Sequence, residues 1–126
     1  MAEEQNKKIL MIEDEKIIVD LLKSKLEREG YHVLVGRDGV EGIEKMKQEK
    51  PDLILLDIVM PRKGGFEVIE ERNKDEELKK IPVIVISNSG QPVELDRAKD
   101  LGAVDWLVKT EFDPKEVITK VKKQIG

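Results

Sequence analysis

The sequence predicts an α/β fold in which a parallel sheet is covered by helices on both faces. Five short apolar runs, typical of buried strands, alternate with five segments that carry apolar residues at helical spacing. Strict alternation favours a parallel sheet, because each helix returns the chain to the edge where the next strand begins. The chain has 126 residues, which suits one domain with a complete core.

Each predicted strand is a short apolar stretch followed by polar or turn-forming residues. The most apolar of them, Leu53–Leu56, leads to Asp57, and Pro61 then prevents the chain from continuing as a strand. Right-handed crossovers leave few topologies, and we expect the flavodoxin-like (βα)5 doubly wound sheet with strand order 2-1-3-4-5. The predicted strands are Lys8–Glu13, Tyr31–Val35, Leu53–Asp57, Pro82–Ser87 and Val104–Val108.

The predicted helices are recognised by their apolar spacing and by residues that favour helix ends. Gly30 and Gly102 are suited to end the first and fourth helices, because glycine readily adopts the left-handed conformation found there. Asp38 and Asp113 are suited to cap the second and fifth helices. The predicted helices cover residues 15–29, 38–49, 66–73, 92–101 and 113–124. The first of them would direct inward Ile18, Leu21, Leu22 and Leu26.

The composition argues against several classes of partner. Lysine and arginine total 23 against 27 acidic residues, a net charge of −4, which disfavours binding to a nucleic acid backbone. The absence of cysteine excludes disulfides, a thiolate nucleophile and a Cys-type zinc site, and it fits a reducing compartment. No apolar stretch reaches the roughly 20 residues that span a bilayer. We therefore expect a cytoplasmic protein that binds neither nucleic acid nor membrane.

Charged and polar residues follow several predicted strands at the point where each strand ends. Glu13 and Asp14 follow the first strand, Asp57 ends the third, Ser87 ends the fourth and Lys109 follows the fifth. In the expected strand order the first and third strands are neighbours, so their three carboxylates would converge. Converging carboxylates repel each other unless a cation lies between them, and oxygen ligands suit Mg²⁺ or Mn²⁺. Lysine and a hydroxyl beside them would complement a phosphoryl group on the aspartate.

Each of these residues also has an ordinary structural interpretation. The Glu13-Asp14 pair could cap the first helix, and Asp57 could be a turn residue before the proline. Ser87 could bond the main chain, and Lys109 could be a solvated side chain. The combination of all of them at one sheet edge favours a functional site over these separate explanations.

Four motifs occur in order along the chain: Ile12-Glu13-Asp14-Glu15, Leu55-Leu56-Asp57-Ile58-Val59-Met60-Pro61 with Gly65, Val85-Ile86-Ser87, and Trp106-Leu107-Val108-Lys109. With these motifs at these spacings, the chain closely resembles the receiver domain of two-component response regulators. One motif alone would be weak, whereas the ordered set is specific. The resemblance covers about residues 7–125, so we expect a single receiver domain over residues 1–126.

The resemblance implies that Asp57 is the phosphoacceptor of a two-component or phosphorelay system. It implies a metal site formed by Asp14, Asp57 and the main-chain carbonyl of Val59, with Glu13 bound directly or through water. Asp57 and Lys109 would be the catalytic residues. The protein would be no enzyme in the usual sense, since it assists only its own phosphorylation and a slow self-dephosphorylation.

The resemblance further implies a switch in which Ser87 and Lys109 bind the phosphoryl group and Trp106 is the aromatic residue that responds. Access to the acceptor would be tuned by Val59, Asn88 and Ser89. The chain departs from the common family pattern in having Glu13 for aspartate, Asn88 for a small residue, Trp106 for tyrosine or phenylalanine, and Thr110 for proline. The last difference leaves open the isomer of the Lys109–Thr110 bond, because a cis bond without proline costs about 2.5–4 kcal/mol.

By the same resemblance, the partners are a histidine kinase or histidine phosphotransfer protein and a downstream target. That target would read the face formed by the fourth helix, fifth strand and fifth helix, and the protein would be a monomer or a phosphorylation-linked dimer. Two alternatives share the fold: a relay intermediate that passes the phosphoryl group onward, and a docking module that is never phosphorylated. A hydrolase or nucleotide-binding enzyme is disfavoured, because no glycine-rich phosphate loop follows the first strand and Val59 lacks an acid group.

Overall fold

A computed structural model of the protein describes residues 7–60, 63–88, 91–110 and 113–126. Strands and helices alternate in the predicted order, and the described residues also include a short 3-10 helix that the sequence did not predict. The strands are β1 (Lys8–Ile12), β2 (His32–Gly36), β3 (Leu53–Asp57), β4 (Val83–Ser87) and β5 (Asp105–Val108). The helices are α1 (Lys16–Arg28), α2 (Gly39–Glu49), α3 (Gly65–Asn73), α4 (Pro92–Leu101) and α5 (Pro114–Ile125), and the 3-10 helix is Leu78–Lys80.

The five strands form one parallel sheet in the order β2-β1-β3-β4-β5, which confirms the predicted flavodoxin-like topology. Strands β1 and β3 are neighbours, and Ile12 of β1 pairs with Leu56 of β3. The next residues, Glu13 after β1 and Asp57 at the end of β3, therefore lie side by side at the carboxyl ends of the strands. On the other side of β3, Asp57 pairs with Ile86, so Ser87 lies one residue beyond it.

Alternate residues of each strand point to opposite faces of the sheet, and each face has its own apolar core. All five residues of β3 are buried, as expected for the central strand of a sheet covered on both sides. One core joins β1 and β3 to α1 and α5 and includes Leu22, Leu26 and Val117. The other joins them to α2 and α3 and includes Met46 and Ile69.

The predicted helix ends are found with the expected chemistry. The side chain of Asp38 accepts a hydrogen bond of 2.8 Å from the backbone N–H of Glu41, and the side chain of Asp113 accepts one from Lys115. Gly102 ends α4 with a φ of 110°, in the left-handed region that glycine tolerates. These ends fix where the chain enters and leaves the sheet edges.

The structure corrects the expected inner face of α1. Leu22 and Leu26 are fully buried, whereas Leu21 is 39% exposed. The inward-facing side of α1 follows positions 18, 22 and 26. Leu21 lies one helical turn after Ile17, on a side of the helix where Ile17 is 82% exposed.

Within the described ranges, no helix combines the length and apolarity that crossing a membrane requires. No cis peptide occurs among the described residues, so the Lys109–Thr110 bond is trans.

Candidate functional site

The polar strand ends meet at one edge of the sheet, where the pairing of β1 with β3 brings three acidic residues together. One carboxylate oxygen from each of Glu13, Asp14 and Asp57 lies within 4.8 Å of the other two. Glu13 and Asp57 are only 2% and 4% exposed, while Asp14 is exposed. Two buried carboxylates therefore lie beside one that faces water.

The side chain of Lys109 extends from the end of β5 to these carboxylates. Its Nζ atom lies 2.9 Å from Glu13, 3.1 Å from Asp57 and 2.7 Å from Glu15, and its side chain is 3% exposed. An ammonium group has three N–H donors, and each finds a carboxylate. The lysine thus acts as the internal counter-ion of the acidic residues.

Four carboxylates meet one lysine here, and the two buried ones, Glu13 and Asp57, have raised pKa values because burial disfavours their charged forms. Burial raises the pKa of Glu13 from its ordinary value to about 7, against the opposing effect of the Lys109 hydrogen bond. Burial also raises the pKa of Asp57, again opposed by Lys109. For Lys109 itself burial would lower the pKa, but bonds to Glu15 and Glu13 and the charge of Asp57 raise it overall. The site thus holds four carboxylates against one lysine amine.

The first residue of α3, Gly65, packs directly against the backbone at the end of β3. A Cβ atom on Gly65 would lie 2.5 Å from the backbone oxygen of Asp57 and 2.8 Å from Cα of Ile58. Real side chains do not tolerate such distances, so a glycine is required here. The backbone N–H of Gly65 also donates a 2.8 Å hydrogen bond to the Ile58 carbonyl, which closes the loop.

The remaining predicted residues lie in or just after strands β3, β4 and β5. Val59 donates its backbone N–H to Oδ1 of Asp57 over 3.3 Å, and its side chain is 72% exposed. Ser87 is buried at the end of β4, and Asn88 is exposed next to it. Trp106 is half-buried in β5 and packs against the core on the α2–α3 side of the sheet. Ser89 lies outside the described residues.

Glu15 belongs to the site but was not predicted from the sequence. It is the residue before α1, and its side chain makes no capping hydrogen bond to the helix. Instead its carboxylate accepts from Lys109, and its backbone N–H donates a 3.0 Å hydrogen bond to Oε2 of Glu13. The only signal in the sequence was that a third acid directly follows Glu13 and Asp14.

Comparisons with known proteins show which family the chain resembles. Residues 9–122 match the family model of the response regulator receiver domain. The chain is 38% identical, over 117 residues, to the alkaline phosphatase synthesis transcriptional regulatory protein PhoP of Bacillus subtilis, covering 93% of this chain and 48% of PhoP. It therefore spans about half the length of this curated relative.

Two solved structures are also similar. The phosphorylated cyanobacterial phytochrome response regulator RcpA is 33% identical, with a TM-score of 0.81 and coverage of 94% of this chain and 90% of that one. The Mn²⁺-bound form of response regulator Rcp1 is 29% identical, with a TM-score of 0.78 and coverage of 93% and 90%. One neighbour is thus known in a phosphorylated form and the other with a bound divalent metal.

Proposed function

This chain belongs to the response regulator receiver domain family, and from that membership we propose that it is a signalling switch whose phosphoacceptor is Asp57. The observation that carries the proposal is the buried Asp57 carboxylate, which lies 3.1 Å from the Lys109 amine inside a group of converging acids. The phosphorylated state of the similar protein RcpA supports the same chemistry.

In the proposed reaction an Asp57 oxygen attacks the phosphorus of a phosphohistidine on a partner kinase or phosphotransfer protein. A P–O bond to the carboxylate forms as the P–N bond breaks, and the imidazole nitrogen keeps the electron pair and takes up a proton. Lys109 is placed to neutralise charge on the phosphoryl oxygens as they approach. The transfer requires mainly alignment and charge neutralisation, which a prearranged lysine provides.

The acidic residues fit a divalent metal ion. Carboxylate oxygens are preferred ligands of Mg²⁺ and Mn²⁺, and three of them converge here with more negative charge than Lys109 balances. Glu13, Asp14 and Asp57 would hold the ion with the main-chain carbonyl of Val59. A bound Mg²⁺ would neutralise charge shared by the acceptor and the phosphoryl group. The Mn²⁺-bound form of the similar protein Rcp1 supports this assignment.

We further propose that phosphorylation shifts an existing equilibrium between two conformations through Ser87 and Lys109. Trp106 would transmit the change, since it lies in β5 beside a cavity of about 200 Å³ that Leu95 and Lys99 of α4 also line. A target protein would then bind the face formed by α4, β5 and α5. The receiver itself would act either as a monomer or as a phosphorylation-linked dimer. A cytoplasmic location and the single domain over residues 1–126 remain predictions.

Phosphorylation by a small donor tests the proposal directly. We expect acetyl phosphate with Mg²⁺ to add one phosphoryl mass to the intact protein, and we expect Asp57→Asn to add none. Asp96→Asn, an exposed aspartate on α4, is the matched control and should gain the same mass as the unchanged protein. Equal gain in Asp57→Asn, or no gain in the unchanged protein, would contradict the proposal, and the second result would favour a docking module.

The final switch and the relay intermediate share this site and differ in the next step. After phosphorylation, incubation with histidine phosphotransfer proteins would reveal a relay by movement of the label onto their histidines. Retention of the label on Asp57 would favour the final switch.

A further inference from the structure

We propose that Glu15 is a positioning residue whose carboxylate keeps the Lys109 amine in the site when a divalent cation occupies Glu13, Asp14 and Asp57. The inference rests on the proposed metal site and concerns what happens to the lysine there. It does not depend on whether Asp57 is later phosphorylated.

The contact between Glu15 and Lys109 differs from the other two contacts of the amine. At 2.7 Å it is the shortest of the three, and the Glu15 side chain is 50% exposed while those of Glu13 and Asp57 are almost fully buried. Among the described residues, the acids whose oxygens converge for a metal are Glu13, Asp14 and Asp57. Glu15 is therefore the acceptor of Lys109 that a metal ion would leave free.

A divalent cation and the lysine amine compete for the same two buried carboxylates. Two like charges a few ångströms apart repel each other, so a bound cation would weaken the hold of Glu13 and Asp57 on Lys109. The third hydrogen bond, to Glu15, would then become the main one that anchors the amine. With that bond in place, Lys109 would stay close to the phosphoryl position on Asp57.

The position of Glu15 in the chain supports a role separate from helix formation. Its carboxylate makes no capping bond to α1, so removing the charge breaks no side-chain hydrogen bond at the helix end. Its backbone N–H, which orients Glu13, is retained in any substitution except proline. Glu15→Gln thus removes the charge and keeps the shape of the side chain, which makes it a clean test.

The test measures the accessibility of the Lys109 amine with and without Mg²⁺. Proteins are treated briefly with an amine-reactive reagent, and modification of Lys109 is quantified by peptide mass spectrometry. Without metal, Glu13 and Asp57 still hold the amine, so Glu15→Gln should react within about twofold of the unchanged protein. At saturating Mg²⁺ we expect Lys109 of the Glu15→Gln variant to react about fivefold faster than Lys109 of the unchanged protein. A factor of about five corresponds to the upper end of the energies measured for partly exposed ion pairs. Asp20→Asn, an acid of α1 that pairs with Lys16, should behave as the unchanged protein in both conditions.

Two results would overturn the inference. One is equal Lys109 modification in the Glu15→Gln variant and the unchanged protein at saturating Mg²⁺. The other is a Glu15→Gln effect of the same size with and without Mg²⁺. Failure of the proposed function has a different signature, because the protein would then gain no phosphoryl mass while the Mg²⁺-dependent change at Lys109 persisted.

Discussion

A basic side chain is buried at each end of the sheet, and the two differ in the charge of the groups that accept their hydrogen bonds. At the carboxyl ends of the strands, Lys109 is surrounded by three carboxylates. At the amino ends, Arg72 of α3 is 5% exposed and, within the described part of the chain, donates hydrogen bonds to neutral oxygens. These belong to the Ile81 carbonyl at 2.9 Å, the Lys79 carbonyl at 2.8 Å and the Asn73 side chain at 2.7 Å.

The difference separates a structural contact from a binding site. The carbonyls around Arg72 lie at and just after the end of the 3-10 helix, where unpaired oxygens carry partial negative charge and suit a cation. The arginine satisfies them and leaves no formal negative charge. Around Lys109 the acids outnumber the amine. Similar burial therefore gives a rigid junction at one end and an incomplete electrostatic arrangement at the other.

The largest effect is expected at the Arg72 end. Arg72→Met keeps much of the apolar contact but leaves the buried carbonyl of Ile81 and the part-buried carbonyl of Lys79 without their donor. We expect the free energy of unfolding to fall by about 2–4 kcal/mol, measured by urea denaturation, with no dependence on Mg²⁺. Arg28→Met on the exposed face of α1 should change it by about 0.5 kcal/mol or less. Similar losses in both variants would show that the Arg72 junction is not special.

The next effect is expected from Mg²⁺ at the Lys109 end. A ligand that binds only the folded protein at ten times its Kd should stabilise it by about 1.4 kcal/mol. We expect this gain in the unchanged protein and in Arg72→Met, but not in Asp57→Asn, because Asp57 supplies one of the three converging carboxylates of the proposed metal site. Thermal unfolding with Mg²⁺ or with EDTA measures it. A full gain in Asp57→Asn would place the metal elsewhere.

A somewhat smaller effect is the pH dependence of the metal-free protein. The pKa of Glu13 is about 7 in the folded state and ordinary in the unfolded state, so between these values the folded protein binds more protons. Its stability should therefore fall as the pH rises from about 4.5 to about 7, and Glu13→Gln should remove this contribution.

The comparison is made by unfolding both proteins in EDTA at pH 4.5 and at pH 7.5. We expect the free energy of unfolding of Glu13→Gln to exceed that of the unchanged protein at the higher pH and to equal it at the lower pH. Equal stabilities at both values would mean that Glu13 carries no burial penalty. Greater stability of the variant at the lower pH would reverse the sign of the argument.

Most of the fold could be predicted because its signals are local. Apolar runs, glycine stops such as Gly102 and the capping residue Asp38 each act over a few residues, and strict alternation then leaves few topologies. The face of α1 was less predictable, since Ile17 and Leu21 are apolar but point away from the core. Periodicity shows that a helix has an apolar side but does not show where that side ends.

The site could be predicted only as far as the strand order fixed it. Glu13, Asp14 and Asp57 converge because β1 and β3 are neighbours, and the sequence indicated both the acids and that order. The bond from Glu15 to Lys109 was not predictable, because it joins residues 94 positions apart and depends on side-chain rotamers. The neutral surroundings of Arg72 were missed for the same reason.

The smallest effect is expected at the edge of the acidic end, where Val59 is 72% exposed two residues after Asp57, the proposed acceptor. Loss of the phosphoryl group requires a water molecule to attack the phosphorus, so that the P–O bond breaks and the Asp57 carboxylate is restored. The apolar Val59 side chain offers no hydrogen bond to orient that water, so we expect slow self-dephosphorylation.

An amide at this position would orient the water. Val59→Asn should therefore speed the loss of the phosphoryl group about threefold, which is less than 1 kcal/mol in activation free energy. Intact mass followed after removal of the donor, with Mg²⁺ present, measures the decay. Val93→Asn, a valine on α4 that is 77% exposed, should decay as the unchanged protein does. Rapid loss from the unchanged protein without a phosphatase would show that another group already orients the water.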